Sequence, residues 1–229
     1  MTLAFEPAPT VLAGVSDGEQ FPVRRVFCVG RNYADHAREM GSDPDREPPF
    51  FFTAWAEAVV PSGTTIVYPQ ATKDYQFEVE LVVSIGRAGR DIAAAEALSH
   101  VYGYGVGLDM TRRDLQAAAK KTGRPWDTGK NVEQSKPLGE LRLADGFDPG
   151  AGAIRLTVNG ETKQTGDLSD QIWPVADVIA HLSGLYRLEA GDLIYTGTPA
   201  GVGPVVPGDV LVATIDGLAE LTITVGDPA

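Results

Sequence analysis

Short runs of alternating or apolar residues recur along the whole chain, and segments rich in glycine and proline separate them. The 229 residues include 26 Gly and 16 Pro without a Gly-X-Y repeat, which is typical of many tight turns. The sharpest turn is Asn159-Gly160, which lies between two alternating runs and predicts a β-hairpin. Strands are predicted at 26–30, 50–53, 64–67, 77–85, 101–108, 153–158, 161–165, 192–196, 209–215 and 219–225.

Helical patterns are few. The first covers Tyr33 to Met40, with Asn32 as its cap and Gly41 as its stop. A second begins at Thr111 and ends near Lys121, and a third begins near Pro174 and ends before Gly184. Because strands dominate, the sequence predicts a mixed, mostly β fold. The length suits a single domain, or a domain with a small appendage.

Charge and composition exclude several classes of protein. The 31 acidic residues against 19 basic ones give a net charge of −12, which repels nucleic acids and acidic membranes. A single cysteine, Cys28, excludes an internal disulfide and is compatible with the cytoplasm. We find neither an apolar run of roughly 18 residues nor a signal-peptide pattern. We therefore expect a cytoplasmic protein with no nucleic-acid or membrane partner.

The run FEVELVV carries the first chemical feature. Glu78 and Glu80 fall on one face of the predicted strand, about 7 Å apart at their Cα atoms. Asp109 ends the glycine-rich run VYGYGVGLD and offers a third carboxylate. Repelling carboxylates placed together suit a hard divalent ion such as Mg²⁺ or Mn²⁺. A solvated acidic strand face and an ordinary turn aspartate are the alternatives at this point.

A second group of polar residues points to acid–base chemistry. His36 and Glu39 are spaced i, i+3 on the first helix, so the carboxylate can orient the imidazole as a general base, or the two can form a surface pair. Arg113 and Gln116 share a face of the helix after Asp109. The loop YTGTPAGVG (195–203) offers backbone N–H groups and hydroxyls to an anionic oxygen, or is simply a turn that ends a strand.

Several motifs together resemble the fumarylacetoacetate hydrolase family, and within it the acylpyruvase and fumarylpyruvate hydrolase members. They are GRNYADHAREM (30–40), FEVELVV (77–83), YGVGLDMTRRDLQ (104–116), PWDTGKN (125–131) and YTGTPAGVG (195–203). The resemblance implies a single β-roll catalytic domain over residues 21–229, preceded by a short N-terminal segment at 1–20. It further implies a homodimer, one Mg²⁺ or Mn²⁺ per subunit and a 2-oxo acid substrate. It also implies hydrolysis of a carbon–carbon bond in a 2,4-dioxo acid such as fumarylpyruvate, in aromatic-compound degradation.

The resemblance also assigns roles to residues. It implies three metal ligands, a water-activating pair on a mobile lid from Asn32 to about Pro49, an active-site lysine and three substrate contacts. The metal ligands are Glu78, Glu80 and Asp109, and the water-activating pair is His36 and Glu39. The active-site lysine is Lys130, and the substrate contacts are Arg113, Gln116 and Thr198. Where relatives often carry Lys-Pro, this chain has Ala54-Trp55, so a cation that could meet a substrate carboxylate is missing there.

Two other functions remain open. The same metal site could serve an oxaloacetate decarboxylase, or a tautomerase or hydratase acting on 2-oxo acids. Decarboxylation would need no attacking hydroxide. A non-catalytic binding module would keep the fold alone, and the intact set of carboxylates with Lys130 argues against it.

Overall fold

The computed structural model describes residues 3–40 and 48–228, and strands dominate this part of the chain. The predicted mostly β fold class is confirmed. The strands are β1 Leu12–Gly14, β2 Gln20–Pro22, β3 Arg25–Gly30, β4 Phe50–Ala54, β5 Val59–Pro61, β6 Thr65–Tyr68, β7 Tyr75–Phe77, β8 Val79–Ile85, β9 Val101–Leu108, β10 Thr111–Arg112, β11 Lys136–Leu138, β12 Arg142–Leu143, β13 Ala153–Val158, β14 Glu161–Asp167, β15 Asp192–Tyr195, β16 Gly203–Pro204, β17 Val210–Ile215 and β18 Leu221–Pro228.

The helices are short. They are α1 Ala34–Glu39, α2 Ala94–Ala97, α3 Arg113–Thr122, α4 Asp127–Lys130 and α5 Val175–Leu185, with single 3₁₀ turns at Ala56–Ala58, Leu98–His100 and Leu168–Asp170. Within the described ranges, none of these helices has the length and apolar character needed to cross a membrane.

Two large sheets form the body of the molecule. The eight-stranded sheet has the order β4-β3-β15-β8-β9-β11-β5, with β12 also paired to β9. The five-stranded sheet has the order β14-β13-β17-β18-β6. The Asn159-Gly160 turn joins β13 to β14 as an antiparallel pair, as predicted. Smaller sheets pair β1 with β2 and place β7 between β10 and β16. The β1–β2 pair crosses the expected boundary at residue 20.

Strand β8 contributes to two hydrophobic cores, one on each side of its sheet. Val79, Leu81 and Val83 belong to the larger core, which includes residues from β13, β17, β18 and α5. Val82 belongs to a smaller core with Cys28 and residues from the β1–β2 pair. Both faces of this central strand are therefore dry, and its polar side chains must find partners within the protein.

Two predicted helix starts are wrong. The cap residue of α1 is Tyr33, which makes no side-chain capping bond. The Asn32 amide instead donates to the carbonyl oxygens of Trp173 and Thr196, at 2.9 and 2.8 Å. Thr111 does not begin α3, because it pairs with Gln76 in the β10–β7 ladder. In both places a longer-range contact overrides the local capping pattern. The predicted stop at Gly41 lies outside the described residues.

Candidate active site

The three predicted metal carboxylates lie together at one end of the β8–β9 ladder. Glu80 is opposite Gly107, and the Asp109 backbone N–H donates to the Glu78 carbonyl at 2.9 Å. The side chains of Glu78, Glu80 and Asp109 are only 4%, 2% and 1% exposed. One ligand oxygen from each lies within 4.8 Å of the others. The carboxylates therefore do not form a solvated acidic face or an ordinary turn.

The glycine face of β9 is required by the packing around it. A Cβ atom at Gly107 would lie 2.4 Å from Val82 Cγ2 and 2.6 Å from Tyr195 Cε1. The close approach that Gly107 allows is therefore made by side chains of the neighbouring strands β8 and β15. This packing sets the spacing between β8, β9 and β15, and with it the spacing of the carboxylates.

A single cleft collects the predicted chemistry. Every predicted site residue except Glu39 lines it, and Glu39 contacts His36 from behind. The cleft also contains residues that the sequence analysis did not select, including Phe52, Lys120 and Trp126.

Cations surround Glu78. Lys130 Nζ lies 2.5 Å from Glu78 Oε2 and 3.0 Å from Asp109 Oδ2, so it bridges the two carboxylates. Arg113 Nη2 donates to Glu78 Oε1 at 2.5 Å. Burial alone would raise the pKa of Glu78, but the charges of Lys130 and Arg113 hold it below its usual range. Glu78 is therefore an anion at neutral pH.

Glu80 has a different environment. Its Oε2 accepts a hydrogen bond from the Gly197 backbone N–H at 2.8 Å. Burial, and then the negative charges of Asp109 and Glu78, raise the pKa of Glu80 well above its usual range. A divalent cation among these three carboxylates would offset that repulsion, and carboxylate oxygens are the ligands that Mg²⁺ and Mn²⁺ prefer. The donor set therefore fits such an ion.

Gly197 is needed where it lies. Its φ is +97°, and a Cβ there would lie 2.7 Å from Asn32 Cβ. In this conformation its N–H reaches Glu80, and the Gly201 N–H lies 3.4 Å from the Glu39 carboxylate. The amides of the 195–203 loop thus serve two carboxylates of the protein, whereas we expected them to face a ligand.

Lys136 is a buried cation that the sequence analysis missed. It is fully buried, and its Nζ lies 2.8 Å from Asp109 Oδ1 and donates to the Lys130 carbonyl at 2.7 Å. It therefore holds Asp109 from the side opposite Lys130. In sequence it is simply a lysine at the start of a short apolar strand, and no local pattern indicates burial.

His36 and Glu39 form the contact that their spacing predicts. His36 Nδ1 lies 3.2 Å from Glu39 Oε2, while the ring is buried at 6% exposure and lines the cleft. When Nδ1 donates its proton to the Glu39 carboxylate, Nε2 is left to accept a proton. Burial lowers the pKa of His36 below its ordinary value, against the opposing charges of Glu78 and Glu39. The imidazole is therefore neutral at pH 7, as a general base requires.

The predicted substrate contacts are held by neighbours. Arg113 donates to the oxygens of Gln116 and Gln76, both at 2.7 Å, so the Gln116 amide NH₂ is left to donate. Gln164, which the sequence analysis missed, donates to Thr198 Oγ1 at 2.8 Å and accepts from the Val79 N–H. The Thr198 hydroxyl is thereby oriented with its own proton available.

The position where relatives often carry Lys-Pro lies away from this chemistry. Trp55 is half-exposed and lines a separate surface groove with Asn131. The residue of strand β4 that lines the cleft is Phe52, whose ring centre lies 5.4 Å from Lys130 Nζ. We therefore find no role for Ala54-Trp55 in the cleft.

Comparison with known proteins gives consistent matches. The sequence model of the fumarylacetoacetate (FAA) hydrolase C-terminal family matches residues 25–226. A fumarylpyruvate hydrolase of Ralstonia sp. is 47% identical over 189 residues, covering 82% of this chain and 98% of that protein. A mitochondrial oxaloacetate tautomerase of Homo sapiens is 40% identical over 206 residues, covering 90% and 93%.

The structural match is closer still. The crystal structure of fumarylpyruvate hydrolase from Pseudomonas aeruginosa in complex with Mn²⁺ and pyruvate superposes with a TM-score of 0.96. That protein is 48% identical in sequence, and the match covers 98% of this chain and 99% of that one.

Proposed function

The chain belongs to the fumarylacetoacetate hydrolase family, and on that premise we propose that it hydrolyses a carbon–carbon bond of a 2,4-dioxo acid. Relatives named fumarylpyruvate hydrolase support fumarylpyruvate as the substrate, which water splits into fumarate and pyruvate. The observation that carries the proposal is that three buried carboxylates and His36 line one cleft, with Glu39 in contact with His36 from behind.

Mg²⁺ or Mn²⁺ is the cofactor. Glu78, Glu80 and Asp109 would hold the ion, since each contributes a buried oxygen to one group. When bound, the ion supplies a Lewis acid for the 2-oxo carboxylate end of the substrate and for the negative charge of the departing pyruvate.

His36 acts as the general base. Its Nε2 takes a proton from water, and Glu39 stabilises the resulting imidazolium through Nδ1. The hydroxide attacks the C4 carbonyl carbon of the substrate. Because the ring is buried and neutral before reaction, it can accept this proton at physiological pH.

Donors in the cleft stabilise the charge that develops at C4. The Lys130 ammonium and the Thr198 hydroxyl both line the cleft, and Gln116 offers its free amide N–H groups. Collapse of the tetrahedral intermediate breaks the C3–C4 bond and leaves the acyl part as a carboxylic acid. Pyruvate departs as its enolate, and the proton held on His36 returns to C3.

Oxaloacetate tautomerisation is a second candidate, because a 40% identical relative bears that name. That reaction uses the same acidic group and a proton acceptor, but no water attacks a carbonyl. A panel of fumarylpyruvate, acetylpyruvate and oxaloacetate, assayed with added Mn²⁺, distinguishes the candidates. Hydrolysis of fumarylpyruvate as the fastest reaction supports our proposal, and turnover of oxaloacetate alone would replace it.

We further propose a cytoplasmic homodimer that works in aromatic-compound degradation. The family resemblance supports the dimer, and the buried thiol of Cys28, the chain's single cysteine, suits a reducing compartment. Sedimentation equilibrium tests the dimer directly, and a monomer at micromolar concentration would contradict it.

A further inference from the structure

Lys120 is a cleft residue for which the mechanism above has no task. It lies on α3 after Arg113 and Gln116, at spacings of three and four residues, so all three share one face of the helix. It is half-buried, and its Nζ lies 6.0 Å from the centre of the Trp126 ring. The same cleft contains the three carboxylates of Glu78, Glu80 and Asp109, together with His36.

The charges around Lys120 are mostly of its own sign. Burial, followed by the positive charges of Arg31 and Arg113, lowers the pKa of its ammonium below the ordinary value. Arg113 and Lys130 have carboxylate partners in Glu78 and Asp109. Across residues 3–40 and 48–228, no carboxylate lies within ion-pair distance of Lys120.

A half-buried ammonium among other cations is unfavourable unless an anion accompanies it. The chain as a whole is strongly acidic, so the positive charges around Lys120 are a local feature. A negatively charged part of a substrate would therefore suit this position.

Two aromatic rings connect Lys120 to the reacting end of the cleft. Lys130 Nζ lies 5.4 Å from the Phe52 ring centre, and the Phe52 and Trp126 ring centres are 5.7 Å apart. Lys130 and Lys120 thus lie at opposite ends of an aromatic pair. Flat apolar walls of this kind suit a planar, unsaturated acyl chain that runs from the C4 carbonyl towards Lys120.

We propose that Lys120 binds a carboxylate at the far end of the substrate's acyl group. Resting on the hydrolase function proposed above, this makes Lys120 the residue that selects 2,4-dioxo acids whose acyl part is itself acidic. Substrates with a neutral acyl group, such as acetylpyruvate, make no contact with it.

Steady-state kinetics with Mn²⁺ test this selectivity. Lys120→Met should raise KM for fumarylpyruvate and lower kcat/KM about ten- to a hundredfold, the loss expected for one charge-assisted contact. Its kcat/KM for acetylpyruvate should stay within about twofold, which also shows that the variant is folded. Lys120→Arg should retain most of the preference. The exposed neighbour Lys121 provides the control, and Lys121→Met should change neither substrate.

A binding measurement separates this proposal from the hydrolase function. Calorimetry in Mn²⁺ compares 2-oxoadipate with 2-oxohexanoate, which are matched in length and differ in the terminal carboxylate. The wild type should prefer 2-oxoadipate, and Lys120→Met should lose that preference. If the wild type hydrolyses neither dioxo acid but shows this pattern, Lys120 keeps its role and the hydrolase function falls. Equal losses for both substrates, or no loss for either, overturn the role of Lys120.

Discussion

Glu78 and Asp109 face each other just beyond the end of the antiparallel β8–β9 ladder, joined by a 2.9 Å hydrogen bond from the Asp109 N–H to the Glu78 carbonyl. Like charges placed directly across a ladder destabilise it unless a cation compensates them. Lys130 bridges the pair, and Arg113 and Lys136 each hold a further oxygen of Glu78 or Asp109. Glu80, two residues after Glu78, adds a third carboxylate, and among the described residues it has no ion-pair partner. This imbalance underlies the first prediction.

Removal of one carboxylate should weaken metal binding. Glu80→Gln keeps the volume of the side chain and loses its charge, so we expect the Mn²⁺ dissociation constant to rise more than about 100-fold. Changing a residue that only supports a metal ligand typically costs about 10- to 100-fold. Calorimetric titration of the metal-free protein measures this. Glu96→Gln, at an exposed position on α2, is the control and should bind Mn²⁺ like the wild type. EDTA should abolish turnover, and full activity in metal-free buffer would contradict the metal site.

Loss of the imidazole should separate hydrolysis from simpler reactions. His36→Ala leaves the three carboxylates in place, so fumarylpyruvate hydrolysis should fall by a factor of about 10² to 10⁴, the usual contribution of a general base. Any decarboxylation of oxaloacetate should fall much less, since it needs no hydroxide. His181→Ala, at an exposed ring packed on Trp173, is the matched control. Near-wild-type hydrolysis in His36→Ala would place the base elsewhere.

The pH profile should report the same imidazole. Because burial lowers the pKa of His36, kcat/KM should decrease only as the pH falls below about 6.5, the ordinary pKa of histidine. Glu39 raises the pKa of His36 through its hydrogen bond, so Glu39→Gln should move this acidic limb to still lower pH and reduce the plateau. A limb that stays in place, or moves upward, would show that another group titrates.

Much of the fold could be predicted from the sequence, because alternation and turn residues are local signals. The β8 and β9 runs and the Asn159-Gly160 hairpin are present as expected. Short strands such as β7 and β11 were missed, since three residues are too few to show a period. The caps at Asn32 and Thr111 were wrong because each residue's preferred partner is distant in sequence.

Site residues that stand in sequence motifs could be predicted, and those that only packing brings to the site could not. The carboxylates, His36 and Lys130 stand in dense, ordered motifs. Lys136 and Gln164 are isolated polar residues in strands, and their role is visible only once their partners are placed around them. Alternation alone also could not show whether the acidic face of β8 is exposed to solvent or buried. What packs on a strand face depends on other parts of the chain and is not visible in the strand's own sequence.

Helix α1 should respond to ligand. Its start is anchored by Asn32, while most of the predicted lid that follows, residues 41–47, lies outside the described part of the chain. We expect the amides of residues 34–40 to exchange more slowly when oxalate, a mimic of the pyruvate enolate, binds with Mn²⁺. Hydrogen exchange by mass spectrometry measures this, with the buried strand β3 as an internal reference. Equal protection of α1 with and without oxalate would argue against a lid.

Lys136→Met should destabilise the protein in a metal-dependent way. The change leaves Asp109 Oδ1 without the ammonium 2.8 Å away and the Lys130 carbonyl without its donor. Breaking a buried ion pair from one side typically costs about 3–5 kcal/mol of unfolding free energy. In Mn²⁺ the loss should be smaller than in EDTA, because the ion compensates the charge of Asp109.

Urea unfolding under both conditions measures the two losses. Lys163→Met is the control, because Lys163 pairs with Glu161 at the surface and such pairs contribute at most about 1 kcal/mol. A loss for Lys136→Met as small as that of the control would mean that Lys130 alone neutralises Asp109. An equal loss in Mn²⁺ and EDTA would mean that Asp109 does not bind the ion. The proposed metal ligands would then be Glu78 and Glu80 alone.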